Sequence, residues 1–419
     1  MLTAPGIALA QDDRARECLD ATTPLTVEEQ RLDDVLTEGG PAVGPELVQL
    51  AGFDDQVKRF TTRLCGTFGL RQAQQLVGTS GTDLWRAAVD RAHSTEPGWD
   101  TYDDRPLYWA RLQLTKALRQ WQPKGWQLNP ADRAKLVDSV DHASRGVSDV
   151  KFPQGKGLRR IVVTGFDPFQ LSGPNVRRGN PAGAAALQLD GKVFDTPQGK
   201  VVVQAAVLPV LWGDFDKGVV EDVYGAALKA TAGEAGNQTK VKPDAFVTIS
   251  QGRPGQFDVE RWAARWRGGF PDNNDLASRG TVPDAAGWPQ PSTEFIETTL
   301  PFQKMIDAGT GPFLVNFNRG FCEWPLGTVP GSTAPLCRND QPTPGAVAAS
   351  GGGGDYLSNE SMYRANRVRL GLGATGVLGG HLHTPVLRQP VDPAALTDAA
   401  FEAERRSIAD QVSALVAVV

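Results

Sequence analysis

At Lys151–Gly157, a short polar linker, the hydrophobic period of this chain changes. Upstream, apolar residues recur three and four positions apart, as on one face of a helix. Downstream they gather into short runs: Ile161-Val162-Val163, Val201 to Val210, Ala245 to Ile249, Phe313 to Phe317 and Gly376 to Leu382. Such runs read as buried strands. They alternate with helix-forming stretches, one around 215–231 and a last one starting at Asp392-Pro393. Alternation of this kind predicts an α/β domain over 158–419, a three-layer α/β/α sandwich around a mostly parallel sheet. Sites in such sheets lie outside the carboxyl ends of the strands. That rule points to Gly165-Phe166-Asp167-Pro168-Phe169, to Ser250-Gln251-Gly252 and to His381-Leu382-His383.

Residues 1–150 read as an all-helical accessory domain. Thr26-Val27-Glu28-Glu29 forms a capping box, opening a helix expected to stop at Gly39-Gly40. Pro45 opens a second, with Leu47, Leu50, Val57, Phe60 and Leu64 near helical spacing. Thr82 to His93 and Pro106 to Trp121 follow, and Asn129-Pro130 supplies a cap and a first-turn proline for a fifth. His93 and His142 read as surface or packing residues.

The 419 residues exceed one ordinary core, which again favours two domains. A net charge of −5 gives neither a basic footprint for nucleic acid nor a polybasic membrane patch. No apolar run approaches the roughly 18 residues of a spanning helix. Ala8-Leu9-Ala10 before Gln11 has the small-x-small form of an export cleavage site, without a charged region ahead of it. Export is the expectation, with a cytoplasmic chain as the alternative. Cys18, Cys65, Cys322 and Cys337 are even in number and contain no CxxC, so disulfides within each region are expected. A Cys322–Cys337 bridge would be worth about 3 kcal/mol by loop closure. It would staple the Gly/Pro-rich stretch between Arg319 and Gly354, which is long for a loop.

Two motifs carry little. Gly371-Leu372-Gly373-Ala374-Thr375-Gly376 matches GxGxxG but follows a helical run and precedes a strand, the reverse of a dinucleotide-binding turn. His381-x-His383 lacks the third ligand of a catalytic zinc site. No cofactor and no metal are expected. Ser358 stands at a helix start, either as a plain N-cap or beside amides able to hold an oxyanion. His383 near a strand end is a candidate general base, and Glu260 a candidate partner for it.

Residues 159–390 resemble pyroglutamyl-peptidase I. The matching segments are Ile161 to Phe169, Asn180-Pro181, Val207-Leu208-Pro209-Val210, Pro243 to Val247 with Gln251-Gly252, Val259-Glu260-Arg261 with Pro271-Asp272-Asn273, Tyr356-Leu357-Ser358-Asn359 with Tyr363, and Leu382-His383-Thr384-Pro385. The resemblance implies a triad of Ser358, His383 and Glu260, acting on pyroglutamyl peptides or related small amides. It also implies a substrate site of Phe166, Phe169, Gln251, Asn180, Asn359 and Tyr356. Ser358 replaces that family's cysteine, so its proton must leave as it attacks. Gly269 replaces an arginine, which leaves Arg267 or Arg253 as substitutes. A protein that keeps the pocket without the chemistry, or a cysteine peptidase silenced by a Cys→Ser change, are the alternatives. The expected partner is a peptide or small amide, with no nucleic acid and no membrane; the oligomeric state stays open.

Overall fold

The computed structural model describes residues 18–229 and 241–419. The proposed export site at Ala8–Ala10 and the end of the 215–231 helix lie outside them. The chain divides into two compact units. One holds the residues through Asp149 with two later segments, Gln170–Arg178 and Asp392–Leu396; the other holds the rest.

The first unit is helical: α1 (Val27–Gln30), α2 (Val43–Leu50), α3 (Asp54–Cys65), α4 (Leu70–Ala92), α5 (Arg105–Gln120) and α6 (Pro130–Ala143). The capping box forms, with Thr26 Oγ1 accepting from Glu29 N and Glu29 Oε2 accepting from Thr26 N. The helix it opens ends far short of Gly39, because a bridge between Val35 and Ala42 turns the chain back. The stripe expected as one helix from Pro45 is two, broken at Gly52, whose φ of +76° no helix accepts. Asn129 caps α6 as its sequence predicts. Helices α4 and α6 cross at Gly81, where a Cβ would stand 2.6 Å from that of Ala143. Trp85, Trp109 and Trp121 fill the core, and a disulfide ties Cys18, ahead of α1, to Cys65 at the end of α3.

The second unit is mixed α/β. Its elements are β1 (Leu158–Phe166), α7 (Pro181–Leu189), β2 (Val193–Thr196), β3 (Gly199–Leu208), α8 (Trp212–Lys217), α9 (Val219–Leu228) and β4 (Ala245–Gln251), then β5 (Gln256–Glu260), β6 (Trp262–Ala264), β7 (Trp266–Pro271), β8 (Ala277–Thr281) and β9 (Phe295–Glu297). These are followed by α10 (Phe302–Asp307), β10 (Leu314–Asn318), β11 (Phe321–Trp324), β12 (Leu336–Arg338), β13 (Val347–Ser350), α11 (Leu357–Gly371), β14 (Leu378–Thr384) and α12 (Ala399–Ala417). Seven strands form one sheet in the order β10-β5-β14-β4-β1-β3-β2. Strands β14, β4, β1 and β3 are mutually parallel. Strand β5 runs against β14, and β2 against β3. The aliphatic runs become the strands because both of their faces are covered: Ile161, Val162 and Val163 are all fully buried.

Two expectations change. The last helix begins at Ala399, capped by Asp398, not at Asp392. Asp392–Leu396 belongs instead to the helical unit, where Arg177 donates to Ala395 O at 2.7 Å. The long Gly/Pro stretch contains β11, β12 and β13, which pair into a small sheet of their own. Cys322 and Cys337 face each other across β11 and β12 and are bridged.

Candidate active site

His383 is the next-to-last residue of strand β14, and its antiparallel neighbour β5 ends at Glu260. His381 pairs with Glu260 and His383 with Asp258, so Glu260 reaches His383 along the diagonal. His383 Nδ1 lies 2.7 Å from Glu260 Oε1. Both residues are buried. The second carboxylate oxygen accepts from Asn318 Nδ2 at 2.7 Å, and the same amide donates to Gly352 O at 3.0 Å. A carboxylate can only accept, so His383 carries its proton on Nδ1. In the neutral ring this leaves Nε2 as a bare acceptor, the tautomer a general base needs.

Ser358 sits at the other side of the site. The N-cap of α11 is Tyr356, and no side chain caps it. Ser358 is thus inside the first turn and is not the N-cap, which removes the plainest reading of that residue. The first backbone bond of the helix runs from Glu360 N to Tyr356 O. Among the described residues, the N–H groups of Ser358 and Asn359 have no acceptor, and Ser358 Oγ has no hydrogen-bond partner. An uncapped first turn carries positive partial charge and bare donors.

The tetraglycine before this helix holds the parts together. A Cβ on Gly351 would stand 2.4 Å from Asn359 Oδ1, and one on Gly352 2.0 Å from Glu260 Oε2. A Cβ on Gly353 would stand 2.9 Å from His383 Cε1 and 3.6 Å from Asn359 N. His383 and the start of α11 therefore adjoin the same point of backbone. Gly252 packs on the opposite side of the imidazole, where a Cβ would meet His383 Cβ at 2.6 Å.

A small cavity of about 70 Å³ opens beside Ser358. Phe166, Phe169, Asn180, Gln251 and Tyr356 line it together with Ser250. Several of these side chains are already engaged. Asn180 caps α7 through Ala182 N and donates to Asp167 O. Gln251 Oε1 accepts from Leu387 N, and Tyr356 Oη donates to Pro271 O. Asn359 does not line the cavity; its amide clamps Ala264 through both N and O at 2.8 Å. Neither arginine suggested for the place of Gly269 enters the cavity lining. Arg267 is bound to Glu360 and Asp216, and Arg253 to Asp258. Sequence reasoning missed Asn318 and the close contacts of the glycines, and it named Ser250 as part of a strand-end segment without giving it a role. Only the GGGG string itself was a signal. Among the described residues no group of three or more His, Cys, Asp or Glu is placed to hold a metal ion.

Fold and site together define a helical unit joined to an α/β unit that sets an imidazole–carboxylate pair beside an uncapped helix start. The chain belongs to the PA0049 family. A family model described as the PA0049 N-terminal domain matches residues 10–141, and one described as the PA0049 C-terminal domain matches 160–290 and 325–388. A Pseudomonas aeruginosa relative, recorded as "Uncharacterized protein PA0049", is 30% identical over 94% of this chain and 88% of its own length. This corrects the resemblance to pyroglutamyl-peptidase I, since both family models and the relative lead to PA0049 and none to a pyroglutamyl-peptidase. The short matches have a physical origin in demands that α/β geometry makes generally. Asn180-Pro181 is a helix cap and first-turn pair, and Gly165 lets β1 approach α7, where a Cβ would meet Ala182 O at 2.1 Å.

Proposed function

We propose that the protein is a serine-based amide hydrolase whose sheet is the middle layer of an α/β/α sandwich. Packing of α7 on α12, and of α9 on α11, supports two separate helix layers. Ser358 is the nucleophile, His383 the general base and Glu260 the residue that orients His383. Ser358 Oγ adds to the amide carbonyl as its proton passes to His383 Nε2. The oxyanion is held by the bare N–H groups of Ser358 and Asn359. His383 returns the proton to the leaving nitrogen and the C–N bond breaks. Water then adds to the acyl-serine, giving its proton to His383, and Ser358 regains a proton as the acid departs. The small cavity favours a compact acyl group on a peptide or small amide. The two disulfides favour an oxidising compartment.

The observation that carries this reading is the buried His383–Glu260–Asn318 chain, which leaves one imidazole nitrogen open beside the helix start. A fluorophosphonate probe tests it. Labelling should map to Ser358 and vanish in Ser358→Ala, with turnover falling about 10³-fold or more. Unlabelled, inactive wild type would favour a protein that binds small amides without cleaving them.

A further inference from the structure

The cavity contains a second serine that this mechanism leaves idle. Ser250 is 3% exposed and lines the cavity with Ser358. Its Oγ is 2.8 Å from His381 Nε2. The other nitrogen of that ring, Nδ1, is 2.7 Å from Thr248 Oγ1, which also donates to Gly380 O at 3.2 Å. The arrangement follows from strand period: Thr248 and Ser250 are two apart on β4, and His381 pairs with Thr248 on the adjacent parallel strand.

His381 is fully buried and stands edge-on to His383, ring centroids 4.5 Å apart. Burial, and secondarily the neighbouring His383, hold its imidazole well below the usual range, so it is neutral. A neutral imidazole has one N–H and one bare nitrogen. Gly380 O can only accept, so it takes the single proton of Thr248. His381 Nδ1–H then donates to Thr248, and bare Nε2 accepts from Ser250. The Ser250 proton is thus committed inward, and its oxygen meets the cavity as an acceptor.

We propose that Ser250 is a specificity-determining residue that accepts a hydrogen bond from an N–H or O–H on the acyl part of the substrate, in a polarity set by His381 and Thr248. The ligand class is a compact acyl group with a donor near its carbonyl. The inference rests on the proposed hydrolase only for the reaction; binding to Ser250 is independent of it.

Two probes of one shape test it, glycolyl p-nitroanilide and propionyl p-nitroanilide, which exchange a hydroxyl for a methyl. Wild type should prefer the glycolyl compound about tenfold in kcat/KM, the effect of one neutral hydrogen bond, carried mainly by KM. Ser250→Ala should abolish the preference, and Ser250→Thr should retain most of it. Should Ser250→Ala fail to fold, Ser250→Cys, a weak acceptor of similar size, takes its place. Calorimetric binding of both probes to Ser358→Ala, with and without Ser250→Ala, gives the same comparison without turnover. It separates failure of the Ser250 inference from failure of the hydrolase reading. An equal response to both probes, a preference that survives Ser250→Ala in a folded protein, or labelling of Ser250 itself by the fluorophosphonate would overturn the inference.

Discussion

Two buried ionic clusters meet the α/β unit near the start of α11, and they end differently. In one, Glu360 is bound by Arg267 and Arg364, Arg364 also meets Glu221, and Arg367 meets Asp284. Each ion in it has a counter-ion. In the other, Glu260 is filled by His383 and Asn318, but His383 Nε2 has no partner among the described residues. The first cluster spends its charges on one another. The second stops one bond short, near the start of α11. Burial does not distinguish the two clusters; one is closed by ion pairs, and the other ends on a histidine.

The comparison can be broken from either side. The largest effect is expected at Glu260→Gln. An amide would donate to His383 Nδ1 and force the proton onto Nε2, so activity should fall about 10³- to 10⁴-fold. Denaturant titration should show a much smaller change, because the substituted side chain keeps its shape. Retained turnover would separate the pair from the chemistry. Glu360→Gln should do the opposite, removing about 3 kcal/mol of stability by taking from the buried Arg267 and Arg364 the counter-ion they share. Burial pushes the Glu360 carboxyl up, but Arg364 and Arg267 outweigh it and hold it below its usual value. A depressed carboxyl contributes stability above its unfolded pKa and loses it as pH falls through the folded one. Acid melting curves of the wild type should therefore fall away below the ordinary carboxylate range. Those of Glu360→Gln should lack that component, and curves of identical shape would count against the assignment.

A smaller effect should come from the glycines. Gly352→Ala drives a methyl into Glu260 and should cost about 1–3 kcal/mol of stability with a clear loss of turnover. Gly354 has open space but a φ of +83°. Gly354→Ala should cost only about 1–2 kcal/mol and leave turnover of the folded protein intact. Equal activity losses in the two variants would refute a steric role for Gly352.

Local features were legible in the sequence. Asn129-Pro130 reads as a helix start, the aliphatic runs read as strands, and the cysteines pair within their regions, because neighbours in sequence settle each of these. What depends on distant partners was not legible. Nothing around Asp392-Pro393 announces that this segment joins Arg177 instead of opening a helix. Strand β5 runs antiparallel because of its neighbour β14, not its own residues. Of the site, Ser358, His383 and Glu260 could be singled out by residue type, and the structure joins two of them by a hydrogen bond. Asn318 could not, since an asparagine before Arg319-Gly320 looks like any turn residue until Glu260 is seen beside it. The wider family inference failed for a related reason: short motifs report strand ends and caps, which many α/β proteins need.

The tetraglycine also bears on motion. Glycine loses more backbone freedom on folding than any other residue, about 1–2 kcal/mol or more for each. Gly351 to Gly354 concentrate that loss at the point where Glu260, His383 and the head of α11 adjoin. In return the segment has only a few main-chain bonds, from Gly351 and Gly354 to each other and from Gly352 N to Trp262 O. It should therefore be the first part of the site to open, with amide exchange at Gly352 faster than in the adjoining strands β4 and β14. A ligand that pinned this segment would have to supply part of that ordering free energy, and slowed exchange at Gly352 would report its binding.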